Sequence, residues 1–253
     1  MTRLENKVAL VTGASQGIGL AVARKLAAQG AFVVIQGNRS MQAADDAVRG
    51  IESQGGRAAA LQADLAQEDG PAQLCERLDA LLRDRLGCPD LDILVNNAGV
   101  LKREPIEAVT PAQFDLTLNV NLKAPFFLIQ GLLPRLRDQG RIINVSSLGT
   151  RVAFPAMAAY APAKAGLEAL TRLLAAQLGP RGITVNTVSP GLTETGMNPQ
   201  LATSEAGRQA VASIALGRLG QPDDIAGVIA FLAGEDARWV TAQCIEVSGG
   251  QRI

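Results

Sequence analysis

The junction near the start of the chain constrains the fold more than any other stretch. Val8-Ala9-Leu10-Val11 carries no polar residue, the pattern of a parallel strand buried on both faces. It runs into Thr12-Gly13, and Gly17 and Gly19 follow before Leu20, Val22, Ala23, Leu26 and Ala27 recur at helical spacing. Glycines between a strand and a helix permit positive φ and close backbone approach, and the helix N-terminus offers unpaired N–H groups to a pyrophosphate. A tight strand-to-helix connection would use the same residues, so the junction has to be read with its company.

Six further stretches read as strands: residues 31–35, 58–62, 91–95, 141–145, 183–188 and 242–247. Residues 71–86 have helical periodicity, and residues 111–136 read as a long helix interrupted near Pro125. With 253 residues, 47% of them apolar, one large α/β domain with a sizeable core is affordable, and no repeat or linker divides it. Lys plus Arg and Asp plus Glu balance at 24 each, and no basic run suggests a nucleic-acid or membrane partner.

Cys75, Cys88 and Cys244 are scattered and odd in number, which gives no metal or disulfide framework and suits a reducing cytoplasm. The charged start Met1-Thr2-Arg3-Leu4-Glu5-Asn6-Lys7 does not read as a signal peptide. The absence of histidine excludes Ser-His-Asp and Cys-His catalysis and His-ligated zinc. It also makes Gly13-Ala14-Ser15-Gln16-Gly17 a coincidental match to the hydrolase nucleophile elbow, because nothing could activate Ser15.

After the second strand the chain reads Gln36-Gly37-Asn38-Arg39-Ser40, with a guanidinium and no carboxylate to hold a ribose 2′-OH. That favours NADP over NAD, although Arg39 as a solvated loop charge would look the same. Asp45 and Asp46 come too late for the ribose, whereas Asp64, followed by Leu65, could meet an adenine amino group. Asn96-Asn97-Ala98-Gly99 ends the fourth strand in small and amide residues that suit a ligand lying against bare backbone. Tyr160 and Lys164, four positions apart, share a helix face. An ammonium about 4 Å from a phenol, whose reference pKa is about 10, would lower it by roughly three units at an effective dielectric near 20.

Thr12-Gly13-Ala14-Ser15-Gln16-Gly17-Ile18-Gly19, Asn96-Asn97-Ala98-Gly99 and Tyr160-x-x-x-Lys164 together, in this order and spacing, resemble the short-chain dehydrogenase/reductase family, nearest to its 3-oxoacyl-carrier-protein reductase-like ketoreductases. The resemblance covers nearly the whole chain. It implies a single-domain Rossmann-type doubly wound α/β fold over residues 1–253, with a central seven-stranded parallel sheet, helices on both faces and a substrate lid at about 192–216.

It further implies a catalytic set. Ser147, thirteen residues before Tyr160, is selected over Ser146; Asn121, better placed than Asn119, would hold a water beside Lys164. For the cofactor it implies Gly13, Ser15, Gln16, Gly17, Ile18 and Gly19 at the phosphates, with Asn38, Arg39, Ser40, Asp64 and Leu65 toward the adenosine. Asn97, Ala98, Gly99, Tyr160 and Lys164 would serve the middle and the nicotinamide ribose, and Pro190, Gly191, Thr193 and Thr195 would follow the sixth strand. No metal is expected.

The implied activity is NADPH-dependent reduction of a ketone or 3-oxoacyl substrate. An NAD-linked secondary-alcohol or sugar dehydrogenase is the alternative. A non-catalytic dinucleotide sensor is disfavoured, since all four catalytic positions are filled. Leu148, Val152, Phe154, Met157, Leu192 and Met197 are candidates for an apolar substrate wall. A homotetramer is the family tendency. Docking of a carrier protein is open, because Arg181 could serve it but Asp138 stands where a second cation is expected. Pro162 and Ser248 depart from the family's usual Ala or Ser, and Asp.

Overall fold

Alternation along each strand sorts the apolar side chains to two faces of one sheet. A computed structural model of the chain describes residues 4–38, 41–197 and 204–252. The strands are β1 (Val8–Val11), β2 (Phe32–Gly37), β3 (Arg57–Gln62), β4 (Leu91–Asn96), β5 (Leu136–Val145), β6 (Thr184–Pro190) and β7 (Cys244–Val247). They pair throughout in parallel, in the order β3-β2-β1-β4-β5-β6-β7. Ala9, Val11, Val33, Ile35, Ile93, Val95 and Val188 point to one face, under α1 (Gly17–Ala28), α2 (Met41–Glu52) and α8 (Pro222–Ala233). Val8, Leu10, Val34, Leu94, Ile142 and Val185 point to the other, under α3 (Gly70–Leu86), α5 (Ala124–Leu132) and α6 (Tyr160–Leu178). Strand order reverses between β1 and β4, and the crevice outside their carboxyl ends is where such sheets bind ligands.

The expected helix over 111–136 is two helices. α4 (Pro111–Leu118) passes through a wide π turn (Asn119–Lys123) into α5, and the Ala124 N–H donates to the Asn119 carbonyl, five residues back. Pro125 brings no N–H to the next turn, which favours the irregularity. The chain leaves the helix at Leu132, before Pro134, and β5 begins at Leu136 rather than at Arg141 because Leu136 pairs with Leu91 before the register shifts.

The amino-terminal rim of the sheet is tied by ions. Asp92 accepts the Val8 N–H at 2.9 Å and faces Lys7 Nζ at 3.2 Å and Arg137 Nη1 at 3.3 Å. Arg181 is on this rim too, donating to Asp138 Oδ1 at 2.8 Å and to the carbonyls of Leu133 and Leu136. In the segment expected as a lid, Thr193 bridges Gly220, α7 (Glu205–Ala212) lies toward its end, and Ile214 bridges Gln251; residues 198–203 lie outside the described residues.

Candidate active site

Glycine at two positions makes room for backbone. Gly13 has φ +61° and a Cβ there would stand 2.9 Å from Ala98 Cα, while Gly17 has φ +56°. Gln36, fully buried at the end of β2, staples this turn. Its Oε1 accepts the Gly13 N–H at 2.8 Å and its Nε2 donates to the carbonyls of Ala63 at 2.8 Å and Gly37 at 3.0 Å. Thr12 Oγ1 accepts the N–H groups of Asn97 and Ala98, both at 3.0 Å, locking the end of β4 to the end of β1. Among the described residues no side chain caps the N-terminus of α1, which leaves its first N–H groups to an anion.

These residues floor a cleft of about 590 Å³ along the carboxyl rim. Of the expected cofactor contacts, Gly13, Ser15, Gln16, Gly17, Ile18, Asn38, Asp64, Leu65, Asn97, Ala98, Gly99, Pro190, Gly191, Thr193 and Thr195 line it, with Tyr160 and Lys164. Gly19 does not. A Cβ on it would lie 2.5 Å from Asn97 Nδ2 and from the Gly13 carbonyl, so its part is to let α1 pack against the turn. Arg39 and Ser40 lie outside the described residues. Asp64 is engaged already, its Oδ1 accepting Asn38 Nδ2 and the Ala66 N–H, each at 3.0 Å.

The reactive end is built by β5 and α6. α6 begins at Tyr160, so Pro162 falls in the first turn, where an N–H would have had no helical acceptor. Ser147 follows β5; its Oγ accepts the Gly149 N–H at 3.1 Å and bonds the Tyr160 hydroxyl. Burial pushes the Tyr160 phenol up to about 12, against the opposing pull of Ser147 and of the Arg103 charge. Lys164 is pushed down to about 8, also by burial, and donates to the Val145 carbonyl at 2.8 Å.

Nζ stands 5.7 Å from the centre of the Tyr160 ring, on the same helix face, as it donates to the Val145 carbonyl.

Asn121 sits in the π turn, wholly buried, just outside the cleft lining. Its Nδ2 donates to the carbonyls of Val100 and Thr117, both at 2.9 Å, and its Oδ1 has no hydrogen-bond partner among the described residues. A Cβ on Gly99 would meet that oxygen at 2.9 Å and Lys164 Nζ at 3.6 Å, so amide and ammonium flank the same bare backbone. Asn119 lines a different groove. Ser146 lines the cleft beside Ser147, but its hydroxyl donates to Glu168 at 2.7 Å.

Sequence reasoning missed Glu168. Its Oε1 also accepts Thr150 Oγ1 at 2.8 Å and Ser189 Oγ at 3.2 Å, gathering the ends of β5 and β6 behind Ser147. Its place four residues beyond Lys164 on the same helix face was the available signal. Gln36, Arg103 and Gln251 were missed as well. Gln251 Oε1 accepts the Leu192 N–H at 3.0 Å and holds the loop after β6. Of the candidate substrate wall, Leu148, Phe154, Met157, Leu192 and Met197 line the cleft and Val152 does not.

A family model described as Enoyl-(Acyl carrier protein) reductase matches residues 13–252. An uncharacterized oxidoreductase of Methylorubrum extorquens is 45% identical over 100% of both chains. The 3-oxoacyl-(acyl-carrier-protein) reductase FabG of Staphylococcus aureus is 38% identical, over 96% of this chain and 97% of that one. Among solved structures, the angucycline C-6 ketoreductase LanV with bound NADP superposes with a TM-score of 0.96 at 44% identity, covering 99% of this chain and 97% of that one. LanV holding NADP and rabelomycin gives a TM-score of 0.92, covering 99% and 98%.

Proposed function

The chain belongs to the short-chain dehydrogenase/reductase family of NAD(P)-dependent oxidoreductases, and on that premise we propose that it is an NADPH-dependent ketoreductase with Tyr160 as general acid. The observation that carries the reading is the meeting of Tyr160, Ser147 and Lys164 with the glycine turn along one cleft. A dinucleotide fits that cleft on the chain's own terms: the turn tolerates no side chain at Gly13, and the N-terminus of α1 is uncapped. NADP is favoured over NAD by the cofactor bound to LanV and by the lack of a carboxylate among Gln36, Gly37 and Asn38.

Reducing a carbonyl to an alcohol takes a hydride on carbon and a proton on oxygen. A bound nicotinamide supplies the hydride; the chain supplies the rest. Ser147 donates to the substrate oxygen and steadies the charge that develops on it. Tyr160 gives that oxygen its proton. Lys164, whose Nζ lies 5.7 Å from the centre of the Tyr160 ring in the same buried pocket, favours the tyrosinate left behind. Asn121 Oδ1, lacking a partner among the described residues, holds a water that returns the proton from solvent.

The substrate class is a small-molecule ketone, aromatic or 3-oxoacyl, a reading supported by the rabelomycin held in LanV. The three free cysteines suit a reducing, cytoplasmic setting. A panel of β-ketoacyl thioesters, β-keto esters and polycyclic aromatic ketones, with NADPH and NADH in parallel, tests the reading. Oxidation of NADPH with at least one ketone is expected, and Tyr160→Phe should cut kcat by about 10² to 10⁴ while changing dinucleotide affinity by less than about threefold. Full turnover by that variant, or no ketone reduced by the wild type, would overturn it.

A further inference from the structure

We infer that Arg103 gives this cleft a preference for ketones that carry an anionic oxygen, a carboxylate or an ionised phenol or enol, near the reacting carbonyl. The inference rests on the reductase reading and names the substrate chemistry of that same site.

The wall around the reactive end is apolar, made by Leu101, Leu116, Phe154, Met157, Leu192 and Met197. Among the described lining residues only Asp64, Arg103 and Lys164 carry a formal charge. Asp64 is at the adenosine end, bonded to Asn38. Lys164 is 2% exposed and turned to the Val145 carbonyl. Arg103 is exposed at the mouth, and its charge acts on the Tyr160 hydroxyl, the atom that meets the substrate.

Its position is fixed by the chain. The next residue, Glu104, bridges Met157 and its N–H donates to the Ala156 carbonyl at 2.9 Å, while the Met157 carbonyl accepts the Ala161 N–H of α6 at 3.0 Å. The loop carrying Arg103 is thereby attached to the approach to Tyr160 itself. Lys102 stands on the same loop but pairs with Glu104 at 3.7 Å and does not line the cleft. A guanidinium, planar and forked with five N–H donors, receives two oxygens of an anion at once and keeps donors for its own chain. An apolar slot with such a fork at its lip holds a flat ketone in one orientation and rewards an anionic oxygen at one end of it.

The test compares 3-acetylbenzoate with its methyl ester, one charged and one neutral around the same carbonyl. Affinity for the NADP-loaded protein is read by calorimetry, and kcat/KM with NADPH beside it. At low ionic strength the wild type should favour the carboxylate by about threefold or more, a margin that shrinks as salt is added. Arg103→Met should bring the ratio to about one, Arg103→Lys should fall between, and Lys102→Met should keep the wild-type ratio. A wild-type ratio of one or less, failure of the wild type to bind 3-acetylbenzoate, or an equal drop in Lys102→Met would overturn the inference. An 8-hydroxy-1-tetralone and 1-tetralone pair, followed through the ionisation of the phenol, separates the phenolate source from the carboxylate. Charged and neutral ketones reduced equally well by the wild type and by every variant would remove the selectivity and leave the reductase reading. Carboxylate preference in binding without NADPH oxidation on any ketone would do the reverse.

Discussion

Lys164 keeps an ammonium inside the protein, and burial lowers its pKa from 10.5 to about 8. A group whose folded pKa is depressed contributes stability above its unfolded value and loses it as pH falls through the folded one. Below about pH 8 both states are protonated and the buried charge is a full cost; between about 8 and 10.5 that cost disappears. Cys75, raised to about 11, and Tyr160, raised to about 12, oppose the trend at the upper end, so the comparison must be with a variant. The stability of the wild type relative to Lys164→Met should rise by on the order of 3 kcal/mol across that window in denaturant unfolding. A pH-independent difference would show that the ammonium is not buried as described. At this scale the sequence pointed to Tyr160 and Lys164 through helical spacing, and to Ser147 and Asn121 through the family resemblance. It did not disclose which way Nζ points, because helical spacing fixes a shared face and leaves a four-carbon stem free to choose the Val145 carbonyl.

Glu168 belongs to the scale of elements, since its Oε1 collects hydroxyls from the end of β5, the loop after it and β6. Replacing it by Leu leaves Ser146, Thr150 and Ser189 without their acceptor. The expected cost is about 2 to 4 kcal/mol in stability, with kcat lowered and dinucleotide affinity little changed, as the glycine turn is remote from it. Glu168→Gln retains an acceptor oxygen and should recover part of both. Equal behaviour of the two variants would mean that the carboxylate merely fills space. Strands were legible here because parallel strands covered on both sides read as unbroken apolar runs. The π turn was not, because apolar residues at 114, 118, 122, 126 and 129 fit an unbroken α-helix and its widened form equally well. Pro125 marked the neighbourhood without giving the geometry.

The whole molecule leaves apolar surface uncovered. A groove along α5 and α6 is lined by Leu118, Leu122, Phe126, Phe127, Leu170 and Leu173, of which Leu173 is 59% exposed. Trp239, beside the edge strand β7, is 96% exposed. Patches of this kind are covered in assembled proteins. We expect a homotetramer, so light scattering should give four times the 26.4 kDa of one chain, and Phe127→Glu with Leu173→Glu should yield smaller species. A wild-type mass of 26.4 kDa would refute it. Overall topology was legible because its signals recur from β1 to β7, whereas the mouth was not: Arg103, Leu101 and Leu116 reach it from loops and helix ends whose spacing carries no period.

The ion-tied rim around Asp92 has a use of its own. Turns entering the strands there, Gln54 before β3 and Cys88 before β4, stand at the end of the sheet opposite the cleft. A bead or electrode grafted at either point would hold the protein by its back, with the opening turned to the medium.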